Sequence, residues 1–65
     1  MSVLDNVLAS GLLVNKNKRE LVQKAKELLL QVGINENAWS KFPTQLSGGE
    51  AQRVGIVRAV INSPR

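Results

Sequence analysis

The sequence predicts an all-α fold with about three main helices and no β-sheet of its own. Two segments in the first half carry apolar residues at spacings of three and four, which is the helical period, and no segment alternates like a strand. A third apolar run follows Ser47-Gly48-Gly49-Glu50, where serine and glutamate are spaced as in a capping box. The 65 residues allow at most one small domain, and the absence of cysteine excludes a disulfide or thiolate-metal staple.

The first two predicted helices each present one buried stripe. The apolar positions of the first are Val3, Leu4, Val7, Leu8, Gly11 and Leu12, and those of the second are Leu21, Val22, Ala25, Leu28, Leu29 and Val32. Between them we expect a loop at residues 15–17, with Asn17 and Glu20 providing the polar start of the second helix. Gly33 predicts the C-terminal stop of that helix, and residues 35–41 predict a short helical turn.

The last helix is predicted from Gly48 to Ile61, with a break at Asn62-Ser63-Pro64. Apolar side chains cover most of its circumference, at Val54, Ile56, Val57, Ala59, Val60 and Ile61. Two flanking helices cannot enclose such a helix, so we expect an exposed apolar surface on it. Gly55 in its interior costs about 1 kcal/mol relative to alanine, so we expect close packing at that position.

The charge balance is basic, with nine Lys/Arg against five Asp/Glu and a net charge of +4. Four of the cations fall within nine residues, at Lys16, Lys18, Arg19 and Lys24. A basic patch can bind nucleic acid, but the two aromatic residues, Trp39 and Phe42, lie outside it and offer no stacking platform there. We therefore interpret the patch as a solvated helix face and expect no nucleic-acid partner.

The Ser47–Glu50 segment has the chemistry of an anion site. Ser47 is a preferred N-cap residue, the two glycines allow close backbone approach, and the helix dipole adds partial positive charge at this end. Most capping boxes, however, only start a helix and bind nothing, so the motif alone does not decide between the two interpretations.

The longer string from Gln45 to Pro64, QLSGGEAQRVGIVRAVINSP, closely resembles the signature motif and helix of ATP-binding-cassette (ABC) ATPases, LSGGQ-x-QRV-x-IARAL followed by proline. Three further strings are similar to the same family: MSVLDNV to its M-T-V-L-E-N-V segment, AKELLLQVG to its LL-x-x-VGL, and FPTQ to its YP-x-Q. The resemblance implies that residues 1–65 are one piece of a P-loop-type α/β nucleotide-binding domain. Residues 1–45 would be its helical subdomain, and residues 46–62 its signature loop and helix.

The resemblance also implies the roles of individual residues. Ser47, Gly48 and Gly49 would contact the γ-phosphate of ATP bound by a partner subunit in a head-to-tail dimer, and Glu50 would order the loop. The supporting residues would be Gln45, Leu46, Gln52 and Arg53, with Gln52 and Arg53 anchoring the helix and Leu46 packing. Two positions depart from the family pattern: Val57 stands where alanine is usual, and Ala51 where many members have glutamine. Neither would touch the phosphate.

The catalytic parts of such a domain are absent from these residues. The sequence contains no G-x-x-x-x-G-K-S/T phosphate loop and no histidine, and the family's aspartate-glutamate pair would fall beyond Pro64. Phosphoryl transfer needs a metal, a phosphate cradle and a group that positions water. We therefore expect no catalytic residue and no metal ligand here, no ATPase activity from these residues alone, and a parent ATPase whose remaining parts supply Mg.

The expected partners are the remainder of the nucleotide-binding domain, a second ATPase subunit and a transmembrane permease subunit. The resemblance implies a cytoplasmic location, peripheral at the inner face of the membrane through the permease. No apolar run approaches the ~20 residues of a membrane span. Two alternatives stay open: a piece of a DNA-repair type ABC ATPase, and a non-catalytic helical interaction module. The transported substrate and the direction of transport are not encoded in this segment.

Overall fold

The computed structural model describes residues 1–14 and 17–62, and within these residues it contains helices and no β-strand. The elements in chain order are α1 (Val3–Gly11), α2 (Lys18–Gln31), α3 (Glu36–Trp39), a 3-10 helix (Pro43–Gln45) and α4 (Gly48–Ile61). The predicted all-α fold class is thus confirmed. The predicted loop at residues 15–16 and the predicted break at residues 63–64 lie outside the described residues, as does the cation Lys16.

One apolar core joins the four α-helices of the described residues. Its buried members are Val3, Val7, Leu8, Leu21, Ala25, Leu29, Ile34, Ala38, Val54, Val57 and Ile61. The helix α1 packs against the three others and most extensively against α4. Helix α1 is therefore the central element, and it lies directly against the helix that begins at Gly48.

Side chains cap the starts of α1 and α2. The Ser2 hydroxyl accepts a 3.1 Å hydrogen bond from the Asp5 N–H, and the Asn17 side-chain oxygen accepts a 3.2 Å bond from the Glu20 N–H. Each bond satisfies one backbone donor that the first helical turn leaves without a partner. The predicted polar start of α2 at Asn17 and Glu20 is confirmed.

Gly33 ends α2, as predicted, in a left-handed conformation with φ of 83°. The Gly33 N–H donates to the Leu30 carbonyl at 3.0 Å, and the Ile34 N–H donates to the Leu29 carbonyl at 2.8 Å. These two bonds form a Schellman motif, which provides donors for two carbonyls of the last helical turn. The chain thereby reverses and brings Ile34 back into the core beside Leu29.

Helix α3 is held close to this reversal by its tryptophan. The Trp39 indole N–H donates a 2.9 Å bond to the Ile34 carbonyl, and Lys26 Nζ lies 5.8 Å from the centroid of the Trp39 ring. The short helical turn predicted for residues 35–41 is found at Glu36–Trp39.

Two details of the predicted packing are corrected. Leu12 was expected on the buried stripe of α1 but is 40% exposed, because α1 ends at Gly11 and the chain turns away from the core. Gly55 was expected in close packing, yet a Cβ atom built there meets no described atom within 4 Å. The predicted exposed apolar surface on α4 is present: Ile56 and Val60 are about half exposed, at 51% and 50%.

Candidate functional site

The segment from Ser47 to Glu50 forms a reciprocal capping box at the start of α4, as predicted. The Ser47 Oγ accepts from the Glu50 N–H at 3.2 Å, and a Glu50 carboxylate oxygen accepts from the Ser47 N–H at 3.1 Å. Ser47 is extended, with φ of −66° and ψ of 164°, so the chain enters α4 through a sharp change of direction. The box fixes the serine hydroxyl at the mouth of the helix.

The two glycines leave the helix start open to a ligand. Ser47, Gly48 and Gly49 are exposed, and Cβ atoms built at both glycines meet nothing within 4 Å. The N–H groups of Gly48 and Gly49 occupy the first two helical positions, which have no intrahelical acceptor. Two backbone donors and one hydroxyl are thus brought together at the positive end of a helix dipole, an arrangement that suits the oxygens of an anion.

The charges around the loop are arranged for an anion in spite of the acidic residue. The pKa of the Glu50 carboxyl is lowered from 4.5, chiefly by the backbone hydrogen bond from Ser47, then by the Ser47 side chain, with smaller contributions from the cations Lys41 and Arg53. Glu50 is therefore ionised at neutral pH and directs its charge into the capping box. The effect of Lys41 and Arg53 on the Glu50 pKa shows that positive charge reaches the first turn of α4.

Two local hydrogen bonds fix the residues that lead into the loop. The Gln45 side chain accepts a 2.8 Å bond from the Phe42 N–H, and the Leu46 N–H donates to the Pro43 carbonyl at 3.1 Å. Leu46 also packs against the core, while Gln45 is exposed. The residues that precede Ser47 are therefore fixed by their own hydrogen bonds.

Gln52 and Arg53 both lie on the exposed side of α4. Arg53 extends toward the end of α2, where its Nη1 lies 3.9 Å from the position of a Cβ atom built at Gly33. A cation near the C-terminal end of a helix is favourably placed with respect to the helix dipole. The anchoring role assigned to these two residues stays a prediction.

Sequence reasoning missed two contacts that join α1 to the segment carrying the loop. The Val3 N–H donates a 2.8 Å bond to the Lys41 carbonyl, and the Arg58 Nε donates a 3.0 Å bond to the Ser10 hydroxyl. The second contact joins residues 48 positions apart, and nothing in their local sequence indicates the pairing.

The described part of the chain offers neither a metal-ligand cluster nor a membrane-spanning helix. Residues 1–14 and 17–62 contain no group of three or more His, Cys, Asp or Glu side chains that could hold a metal ion. Over the same ranges, no helix has both the length and the apolar character to cross a bilayer.

The fold and the loop together define a class: a small all-α module whose last helix begins at an exposed, glycine-containing capping box. The family model described as "ABC transporter" matches residues 1–65. The chain belongs to the ABC transporter family.

Several curated relatives match nearly the whole chain. It is 42% identical over 64 residues to the ergothioneine transport ATP-binding protein EgtV of Helicobacter pylori, covering 98% of this chain and 30% of that protein. It is 44% identical over 63 residues to the lipoprotein-releasing system ATP-binding protein LolD of Treponema denticola, covering 97% and 27%. It is 43% identical over 65 residues to the histidine/lysine/arginine/ornithine transport ATP-binding protein HisP of Escherichia coli, covering 98% and 25%.

The chain thus spans less than a third of the length of these relatives. No solved structure gives a significant match to it.

Proposed function

We propose that this chain is the helical and signature-motif part of an ATP-binding subunit of an ABC transporter. Residues 1–45 form the helical subdomain, and residues 46–62 form the signature loop and helix. The family match over all 65 residues and the names of the relatives, each an ATP-binding protein, support this proposal. The P-loop, the Mg site and the water-positioning residues then belong to parts of the protein outside this segment.

The site within the chain is the capping box at Ser47–Glu50. The observation that carries the proposal is the group of exposed hydrogen-bond donors at this box. The Ser47 hydroxyl and the N–H groups of Gly48 and Gly49 bind the γ-phosphate of ATP that a second subunit holds. Donors of this kind fit phosphate oxygens, and the open space at both glycines leaves room for them. ATP with Mg supplies the anionic ligand and the metal. The residues of this chain bind and orient the phosphate but perform no proton transfer on it.

Glu50 has an indirect part in this site. Its carboxylate accepts from the Ser47 N–H, which holds the serine in its extended conformation with the hydroxyl at the start of α4. Gln45 and Leu46 support the loop from the preceding side, and Gln52 and Arg53 from α4.

The partners follow from the same proposal. A second ATPase subunit provides the nucleotide in a head-to-tail dimer, and a permease subunit in the membrane couples ATP hydrolysis to transport. The subunit is then cytoplasmic and peripheral at the inner face of the membrane. The names of the transport relatives support a transporter over a DNA-repair ATPase.

The test exploits the fact that Asp and Asn cap a helix as well as Ser does. In the complete subunit, Ser47→Asp should keep α4 intact but place a carboxylate against the γ-phosphate. We expect ATP-dependent dimerisation, measured by analytical ultracentrifugation, to weaken at least about tenfold, since ~1.4 kcal/mol of repulsion corresponds to that factor. Ser47→Asn, which keeps the cap without the charge, should retain most of the dimer.

A serine-to-aspartate change elsewhere provides the matched control. Ser40 is exposed at the end of α3, and Ser40→Asp should leave dimerisation unchanged. Equal ATP-dependent dimerisation of the wild type, Ser47→Asp and Ser47→Asn would refute the phosphate contact. A folded, ATP-independent monomer in every case would favour the non-catalytic interaction module instead.

A further inference from the structure

Helix α1 and the loop-bearing segment form a closed ring of covalent and hydrogen-bonded links. At one end of α1, the Val3 N–H donates to the Lys41 carbonyl at 2.8 Å, and close to the other end Ser10 accepts from Arg58 at 3.0 Å. Lys41 precedes the capping box in the sequence and Arg58 follows it. The loop of residues 46–50 therefore lies within the part of the chain whose two ends are both tied to α1.

Most of the ring consists of regular, hydrogen-bonded structure. Val3 and Ser10 are separated by about 10 Å along α1, and Arg58 lies about 15 Å along α4 from Gly48, given the helical rise of 1.5 Å per residue. The third stretch, between Lys41 and Ser47, is fixed by the 3-10 helix and by the Gln45 bond to the Phe42 N–H. A ring built from two helices and a hydrogen-bonded turn has few free torsions that could move the loop independently.

The apolar contact between the two helices restricts how they pack, and the Arg58 bond adds a directional link to it. Val3, Val7 and Leu8 of α1 share one buried cluster with Val54 and the other core residues of α4, but apolar burial is non-directional. A guanidinium-to-hydroxyl bond has a defined donor and acceptor direction, so it favours the rotation and height of α4 against α1 at which the bond forms.

We propose that Arg58 is a positioning residue for the signature loop: by holding Ser10, it sets where α4 presents Ser47, Gly48 and Gly49 to the nucleotide of the partner subunit. This inference rests on the proposed function, because it concerns the aim of that same loop. Arg58 acts on the loop through Ser10 and α4 and does not contact the ligand.

The test removes either the donor or the acceptor of the Arg58–Ser10 hydrogen bond in the complete subunit. Arg58→Met matches the arginine side chain as far as Nε and keeps its helix propensity but has no donor, and Ser10→Ala has no acceptor. We expect each variant to weaken ATP-dependent dimerisation by about two- to tenfold, the range of one net hydrogen bond. The double variant should be no weaker than the more affected single variant, since both remove the same link. Ser10→Thr, which retains the hydroxyl, should keep the wild-type affinity.

A matched control separates positioning from general stability. Lys26→Met removes an exposed cation that lies over Trp39, outside the ring, with the same change of charge and side-chain type. It should leave dimerisation unchanged, whatever it does to the urea midpoint. All affinities are measured at a temperature where urea unfolding shows each variant to be fully folded.

The outcomes distinguish this inference from the proposed function. If Ser47→Asp disrupts the dimer while Ser10→Ala and Arg58→Met leave its affinity unchanged, the positioning role is wrong and the phosphate contact stands. Additive effects of Ser10→Ala and Arg58→Met on the affinity also overturn the positioning role, as does a Ser10→Thr variant that binds as weakly as Ser10→Ala. If Ser47→Asp has no effect either, the proposed function itself fails.

Discussion

Gly11 and Leu21 are packed so closely that a Cβ atom at the glycine would lie 2.5 Å from Cδ1 of the leucine. The same Cβ atom would lie 3.2 Å from Leu21 Cγ, so the conflict extends beyond the tip of the side chain. Leu21 is 2% exposed and belongs to the common core, which leaves it little room to move. The approach of α1 to α2 at this point therefore depends on the missing side chain at Gly11.

The first prediction concerns this contact. Gly11→Ala should lower the free energy of unfolding of the chain by about 1 kcal/mol or more, because overpacking outweighs the higher helix propensity of alanine. Urea unfolding followed by circular dichroism measures the change. Gly55→Ala is the matched control in α4, where the new methyl group meets open space. It should raise the stability by up to about 1 kcal/mol. Changes of the same sign in both variants would contradict the packing described here.

The second prediction concerns the end of α2. Gly33 has φ of 83°, a conformation that costs a residue with a Cβ atom roughly 1–2 kcal/mol. Gly33→Ala should therefore destabilise the chain by about 1 kcal/mol, and Gly33→Asn by less, because asparagine tolerates the left-handed region better. Thermal unfolding of both variants provides the comparison. Equal stability of the alanine variant and the wild type would mean that α2 does not end in this conformation.

The sequence predicts those parts of the fold that local chemistry decides. The capping box at Ser47 and Glu50 and the stop at Gly33 each depend on residues within a few positions, and both are found as predicted. The periodic stripes predict which sides of α1 and α2 face inward for the same reason. Leu12 fails the pattern because the helix ends one residue before it.

The sequence does not predict contacts that depend on how the helices pack. The bond between Ser10 and Arg58 arises only when α1 and α4 are packed together. Gly55 is the opposite case, in which the sequence predicts a contact that is not found. A glycine in the interior of a helix indicates close packing, but a Cβ atom at Gly55 meets no described atom within 4 Å.

The third prediction concerns Trp39, which holds α3 against the end of α2. Trp39→Phe removes the indole N–H that donates to the Ile34 carbonyl and weakens the contact with Lys26. We expect a loss of about 1 kcal/mol in the free energy of unfolding, the usual net value of one hydrogen bond with a small aromatic contribution. Phe42→Leu, at a side chain that is 56% exposed, should change the stability much less. Circular dichroism at increasing urea concentration measures both, and a larger effect at Phe42 would contradict the assigned role of Trp39.

The fourth prediction concerns the pH dependence that Glu50 imposes. Its pKa is lowered in the folded chain from 4.5, first by the Ser47 backbone bond, so the ionised carboxylate favours the folded state. The stabilisation is therefore complete above the unfolded pKa near 4.5 and is lost as the pH falls through the lower folded pKa. Glu50→Gln keeps an acceptor for the Ser47 N–H but cannot titrate, so its urea midpoint should decline less steeply below about pH 5. The two proteins differ only at residue 50, so the difference between their pH profiles isolates the charge of Glu50. Parallel profiles from pH 7 to pH 3 would show that the capping box contributes nothing through the charge of its glutamate.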